Sequence, residues 1–323
     1  MYTMVMKEKL LEQSEVYRAL KSGESTSVQY NGYKDEKWGT KDANYLNRMR
    51  LAYYLLYAQI DDEDTIVYLF QEELKDRKSN SFQGIGNTLN VLTSILSKYN
   101  HDGRYNVMLE EAKNANFDCS CGYDQNYQMN DDIESLDLLD CIFLSQDLDY
   151  KDVMEVLVSK WKDSITEWTD ANRTALIRFN SFLGKEQENE TIYKVLLDNT
   201  VMSGTPFNIV SAYNKVIRYY IDICQFEIAN SYLQKMIATT DFTEVERIRL
   251  FGTVLEECFE IICGGIDTAD DLWKWAKPYL QRRTNMYGNL YTKGIAAAKI
   301  VEDVYVVQLE KEFIDWKKKV GLR

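Results

Sequence analysis

The sequence predicts an all-α fold, a right-handed α-solenoid of about seven antiparallel helix pairs with one pair every ~40 residues. Three observations predict it. The 323-residue chain has only two prolines and 15 glycines, so little interrupts helices. Apolar side chains recur at steps of three and four, the mark of one buried helix face. Short polar turns separate those stretches at near-regular intervals, and no run of period-two alternation predicts a sheet.

Taken in order, the chain opens with a helix expected over about 5–20. The segment 22–44, SGESTSVQYNGYKDEKWGTKDAN, is polar and rich in Gly and Ser and predicts a loop. The expected division is therefore 1–44, an N-terminal helix and polar loop, and 45–323, a helical-repeat array. Within the array Leu46, Met49, Tyr53, Leu56 and Ile60 keep the helical step, as do Ile85, Leu89, Leu92, Leu96 and Tyr99. So do Val245, Ile248, Gly252, Leu255, Phe259 and Ile262, and Val306, Leu309, Phe313, Trp316 and Val320. Turns are expected at 61–64, 100–103, 145–149, 184–190, 222–225 and 264–268. Thr205-Pro206 sets a capping hydroxyl before a proline suited to the first helical position. Thr243-x-x-Glu246 predicts a capping box and Thr268-x-x-Asp271 a weaker one, while Pro278 should end or kink its helix. One helix pair cannot bury its apolar face alone, so stacked neighbours must share a core.

Two stretches carry a finer pattern. Leu92, Leu96, Tyr99, Gly103, Tyr105, Met108 and Ala112 place an aromatic at the end of one helix, a small turn residue, and an aromatic at the start of the next. Tyr213, Val216, Tyr220, Cys224, Phe226, Ala229, Leu233 and Met236 repeat the order. These stretches, 85–115 and 205–240, resemble tetratricopeptide-like or HEAT-like helical repeats. The resemblance implies helix hairpins that stack, with Ala229 at a close helix approach. It puts His101, the single histidine, in a turn.

The net charge of −13 and pI of about 4.8 disfavour nucleic acid and anionic membrane surfaces as partners. No segment approaches the ~18 apolar residues of a membrane span, and the start of the chain does not read as a signal peptide. Six cysteines do not form a disulfide framework, and a reduced, cytoplasmic chain is expected. With one histidine and no nucleophile or phosphate-loop motif, no catalytic residue and no cofactor are assigned. Gly84-x-Gly86 is too short for a phosphate loop. Cys119-x-Cys121 lacks zinc-pair spacing, so free thiols outweigh a metal set of His101, Cys119, Cys121 and Cys141. Asp147-x-Asp149 with Asp152 lacks the glycine and closing glutamate of a calcium loop.

The charge is uneven. Residues 102–156 hold fourteen acids and three bases, and so supply 11 of the 13 excess negative charges. Asp131, Glu134, Asp137 and Asp140 recur at helical spacing between Leu136 and Leu139, as a solvated helix face or as a docking surface for a basic protein. Tyrosine, with 23 copies, supplies large rigid contact area with a polar tip. Tyr123 and Tyr127 are the expected anchors, with Asp131, Asp132, Glu134, Asp137 and Asp140 steering the partner. The function expected is non-catalytic protein binding through this acidic face. By fold-level analogy alone, a bacterial immunity protein neutralising a basic toxin is one concrete version. The alternative is a regulatory helical-repeat protein that responds to a peptide in a polar groove; an enzyme has the least support in the residues.

Overall fold

Long runs of helix formers with one apolar face build nearly the whole molecule. The computed structural model describes residues 2–36, 39–79 and 84–321. Among them are seventeen α-helices and one two-stranded antiparallel hairpin, so the fold is all-α apart from that hairpin. The chain forms two units, Met1–Glu167 and Trp168–Arg323.

The first unit holds α1 (Tyr2–Leu11), α2 (Gln13–Lys21), β1 (Gly32–Asp35), β2 (Gly39–Asp42), α3 (Tyr45–Tyr57), α4 (Glu63–Lys78), α5 (Asn87–Leu96), α6 (Asn106–Lys113), α7 (Phe117–Gly122), α8 (Leu138–Asp147) and α9 (Lys151–Ser164). Its centre is α3 against α4 and α5. Met49 and every residue from Leu51 to Leu56 are buried, as are Leu89, Val91, Leu92, Ile95 and Leu96. The expectation of no sheet is corrected by the hairpin, which pairs Gly32 with Asp42 and Asp35 with Gly39 inside the segment read as loop. Its strands are four residues each, half of them exposed and half partly buried, and they carry no apolar alternation to read.

A buried ionic network fixes the hairpin to this centre. Arg48 of α3 is fully buried. Its Nε donates to Glu73 Oε2 at 2.9 Å and its Nη1 to the Val28 carbonyl at 3.1 Å, and its Nη2 lies 2.6 Å from Asp42 Oδ2. Asp42 Oδ1 also accepts from the amides of Asn31 (2.9 Å) and Asn44 (3.0 Å). Arg77 approaches the other Glu73 oxygen at 3.1 Å and pairs with Asp76. Burial pushes the Glu73 carboxyl above its usual range against the pull of both guanidinium groups.

The second unit holds α10 (Asp170–Leu183), α11 (Asn189–Ser203), α12 (Pro206–Asp222), α13 (Phe226–Thr239), α14 (Arg249–Cys263), α15 (Ala269–Arg282), α16 (Gly288–Ile300) and α17 (Val306–Lys319). Here α12 packs on α14 and α14 on α16, and each of the three also packs on the helix that follows it. They begin at 206, 249 and 288, a period of about 40 residues. Thr205 caps α12 by accepting from the Asn208 amide, with Pro206 in the first turn. Ala229 is fully buried. Gly264 admits the Phe226 ring against the backbone, where an added Cβ would lie 2.2 Å from Phe226 Cγ.

One start signal and one capping bond are corrected, and Pro278 does not end its helix. Thr243 does not begin a helix; its amide and hydroxyl both donate to Asp241, and α14 starts at Arg249. Thr268 makes no side-chain cap, since its hydroxyl accepts from Asn230 at 2.9 Å. Pro278 lies inside α15, which continues to Arg282. The buried Trp273, Ala276 and Leu280 on both sides of Pro278 hold the helix by packing, which outweighs one lost backbone bond.

Asp303 closes the turn between α16 and α17. It accepts from Trp273 Nε1 (2.7 Å) and the Tyr305 amide (2.8 Å) and pairs with Lys277 (2.8 Å). The Lys277 bond first, then those of Tyr305 and Trp273, hold its carboxyl down at about 2. A folded pKa below the unfolded one gives stability that is present above pH ~4 and lost as pH falls through ~2. Asp303→Ala should therefore cost about 2 kcal/mol at neutral pH, with the deficit closing between pH 4 and 2 in urea titrations.

Candidate docking surface

The segment 114–132 is irregular apart from the short α7, and it is stitched to α5. Asn116 Oδ1 caps α7 by accepting from the Cys119 amide at 2.8 Å, and its Nδ2 donates to the carbonyls of Arg77 (3.0 Å) and Gly84 (3.1 Å). Tyr123 and Thr93 share a hydrogen bond of 2.7 Å between hydroxyls. The Met129 amide donates to Ser94 Oγ (2.9 Å), and Gln128 Nε2 to Ser97 Oγ (3.0 Å). Thr93, Ser94 and Ser97 form a polar strip on and just beyond α5, and this loop satisfies it.

That packing sorts the predicted anchors. Tyr123 is 3% exposed, and burial pushes its phenol up to about 12. Its ring belongs to the core and is not offered to a partner. Tyr127 is half-buried.

The acids follow along one run of chain. Asp131 is partly exposed and pairs with Lys98 at 2.7 Å, an ion pair that holds its carboxyl below the usual range. Glu134 is exposed, accepts from Thr3 at 2.8 Å and pairs with Lys7. Asp132, Asp137 and Asp140 are also exposed. Asp132 accepts from the Glu134 amide at 3.0 Å. Asp137 and Asp140 form a reciprocal capping box at the start of α8, with bonds of 2.8 and 3.0 Å.

The reading of Asp131, Glu134, Asp137 and Asp140 as one helix face is thereby corrected. Only Asp140 lies within a helix; Glu134 is in a 3₁₀ turn and Asp137 precedes α8. Carboxylates serve as acceptors for free amides at a helix start and suit its dipole there, so the same spacing builds a cap instead of a stripe.

Two exposed apolar side chains elsewhere in the acidic stretch 102–156 escaped the sequence reading. Val107 is 75% and Phe117 59% exposed. On α6, Val107 is followed at helical spacing by the exposed Glu110 and Glu111. Periodicity assigns a valine or phenylalanine to the core by default, so nothing in the sequence set these two apart.

His101 is exposed in the turn after α5, and the six cysteines are unpaired. Cys119 and Cys141 are buried, and burial pushes the Cys141 thiol up to about 11. Among the described residues no group of three His, Cys, Asp or Glu side chains is placed to hold a metal ion. None of the described helices is long and apolar enough to cross a membrane. The chain matches no family model, no curated protein and no solved structure. What the fold defines is a class, an all-helical protein in two units.

Proposed function

We propose that this is a non-catalytic, cytoplasmic, protein-binding helical-repeat protein that uses its acidic surface to dock a basic protein. An immunity protein that neutralises a basic toxin is the concrete form of this reading. One observation carries it: of the fourteen acids between 102 and 156, twelve are exposed and none is buried. Like charges crowded along one stretch of chain repel one another and weaken the fold, which a partner of opposite charge relieves. Such a surface speeds capture and makes it sensitive to salt, because the Debye length falls from ~10 Å at 0.1 M to ~3 Å at 1 M. Val107 and Phe117, exposed and close in sequence to Glu110, Glu111 and Asp118, supply apolar anchors in the role first given to Tyr123. We propose further that the helices continue as an α-solenoid of about seven pairs, a reading supported by the ~40-residue period of α12, α14 and α16.

The test must separate charge from capping. Asn replaces Asp as a helix cap at little cost, so Asp132→Asn, Asp137→Asn and Asp140→Asn remove charge and keep an acceptor. Asp131→Lys and Glu134→Lys reverse charge and break two surface ion pairs, which contribute little, together with the hydrogen bond from Thr3 to Glu134. The combined variant should fold as the wild type does and lose a basic partner that the wild type retains at low salt and releases at high salt. Equal retention of that partner by both chains would refute the acidic docking surface.

A second reading, a regulator that responds to a peptide, is favoured by grooves in the second unit. Cavities of about 270 and 460 Å³ share Tyr193 and Lys215 along α11 and α12. Peptide binding that survives in the charge variant and fails in Lys215→Glu selects this reading.

A further inference from the structure

A cavity of about 520 Å³ opens in the second unit between the segment before α14, the start of α14 and the end of α15. It is of a size that holds small molecules. Three guanidinium groups line it, Arg247, Arg282 and Arg283, against a single carboxylate, Glu246. In a chain of net charge −13 this local excess of two positive charges runs against the whole.

The arginines are not used up by acids. Arg283 donates from Nη1 to the Glu246 carbonyl (3.3 Å) and from Nη2 to the Ile248 carbonyl (3.2 Å), and its buried Nε has no hydrogen-bond partner. Neutral acceptors leave its charge uncompensated. Burial accordingly lowers its pKa, whereas that of Arg282, which Glu246 engages, is raised. Arg247 is exposed. Two further features converge on the same space. No side chain caps the first amides of α14, and Phe251 in its first turn, itself fully buried, backs the cavity. Tyr279 lies 4.9 Å from Phe251 between ring centroids, with the Arg282 guanidinium 4.1 Å above the Tyr279 ring.

We infer that this cavity binds a small phosphate-bearing ligand, with its phosphoryl oxygens toward Arg247, Arg283 and the α14 N-terminus and its apolar part against the Tyr279 ring, which the buried Phe251 backs. Guanidinium forks match phosphate oxygens in pairs, and free helix amides add donors. A phosphomonoester carries about −1.5 to −2 at neutral pH, which balances the local excess. Nucleic acid is disfavoured, because a polyanion meets the negative field of the whole chain while a small ligand meets the cavity. This inference is independent of the acidic docking surface and of the partner proposed for it.

Calorimetric titration of the full chain at constant ionic strength tests it, with inorganic phosphate, ribose 5-phosphate and AMP as probes. At least one probe should bind with one-to-one stoichiometry. Tighter binding of AMP than of phosphate assigns the aromatic wall to a base, and equal binding of all three assigns recognition to the phosphoryl group alone. Arg247→Gln, at an exposed position, should weaken binding about tenfold or more without changing thermal unfolding. Glu246→Gln frees Arg282 and should tighten binding several-fold. Absence of saturable binding by all three probes overturns the inference, and so does an affinity unchanged in both variants.

Discussion

Arg48→Met should destabilise the protein by about 3–5 kcal/mol in urea titrations, a large share of the ~5–15 kcal/mol that holds a domain together. The side chain is fully buried and meets the Asp42 and Glu73 carboxylates and the Val28 carbonyl, with the Asp76 carboxylate 3.8 Å away. Methionine fills much of the volume, so the loss is electrostatic: Glu73 and Asp42 lose a shared cation inside the core. Asp42 keeps two backbone amides and Glu73 keeps Arg77, which sets the cost below that of two wholly abandoned charges. Arg48→Lys should cost less than Met but well above zero, because one ammonium cannot reproduce donation in three directions. Adding Glu73→Gln to Arg48→Met should restore part of the loss by removing one orphaned charge, and this coupling is read from the double-mutant cycle. If Arg48→Met and wild type unfold at the same urea concentration, the network does not contribute to stability. Amide exchange would localise the effect, with the largest loss of protection expected across 32–42, the hairpin that Asp42 anchors.

Arg48 also marks where the sequence stops being informative. The helices were legible because their signal is local: steps of three and four set apolar residues on one face whatever they pack against. Thr205-Pro206 was legible for the same reason, since a hydroxyl and a fixed φ act within one turn. The tetratricopeptide-like order Tyr99, Gly103, Tyr105 falls where a helix ends, a turn with Gly103 at φ +76° follows, and α6 begins. Arg48 sits in the same periodic stretch as Met49 and Tyr53, yet only the arrival of Asp42 and Glu73 from other elements makes its burial affordable. The hairpin was illegible because it buries no face. Tyr123 was misplaced because its hydroxyl finds Thr93, thirty residues away, and a satisfied tyrosine can enter the core. The acidic run was legible as charge but not as geometry, because a carboxylate at a helix start and one on a helix face share the same spacing.

Glu257→Gln should leave stability unchanged below pH ~4 and raise it progressively above that, by up to about 5 kcal/mol at pH 9. Glu257 is 1% exposed on α14. Burial lifts its carboxyl to about 8, against the nearby positive charges of Arg218 on α12 and Lys293 on α16 and with the repulsion of Glu260 and Glu256 on its own helix. Those cations are committed elsewhere. Arg218 bonds Glu260 at 2.6 Å but stands 3.8 Å from Glu257, and Lys293 lies 2.6 Å from Glu256. The Asn214 amide, with its nitrogen turned toward α14, donates to Glu257 Oε2 at 3.2 Å and to the Val210 carbonyl at 3.3 Å. The folded pKa is above the unfolded value of ~4.3, so between pH ~4.3 and 8 the folded chain keeps a proton that the unfolded chain has lost. Stability therefore falls as pH rises through that window, and above pH 8 the folded chain holds an ionised carboxylate in its core. Glutamine matches the protonated acid in shape and cannot ionise, so the variant should lack this slope. Urea titrations of both chains at pH 5.5, 7 and 9 decide it: a difference between them that stays constant across pH would show that Glu257 does not retain its proton on folding.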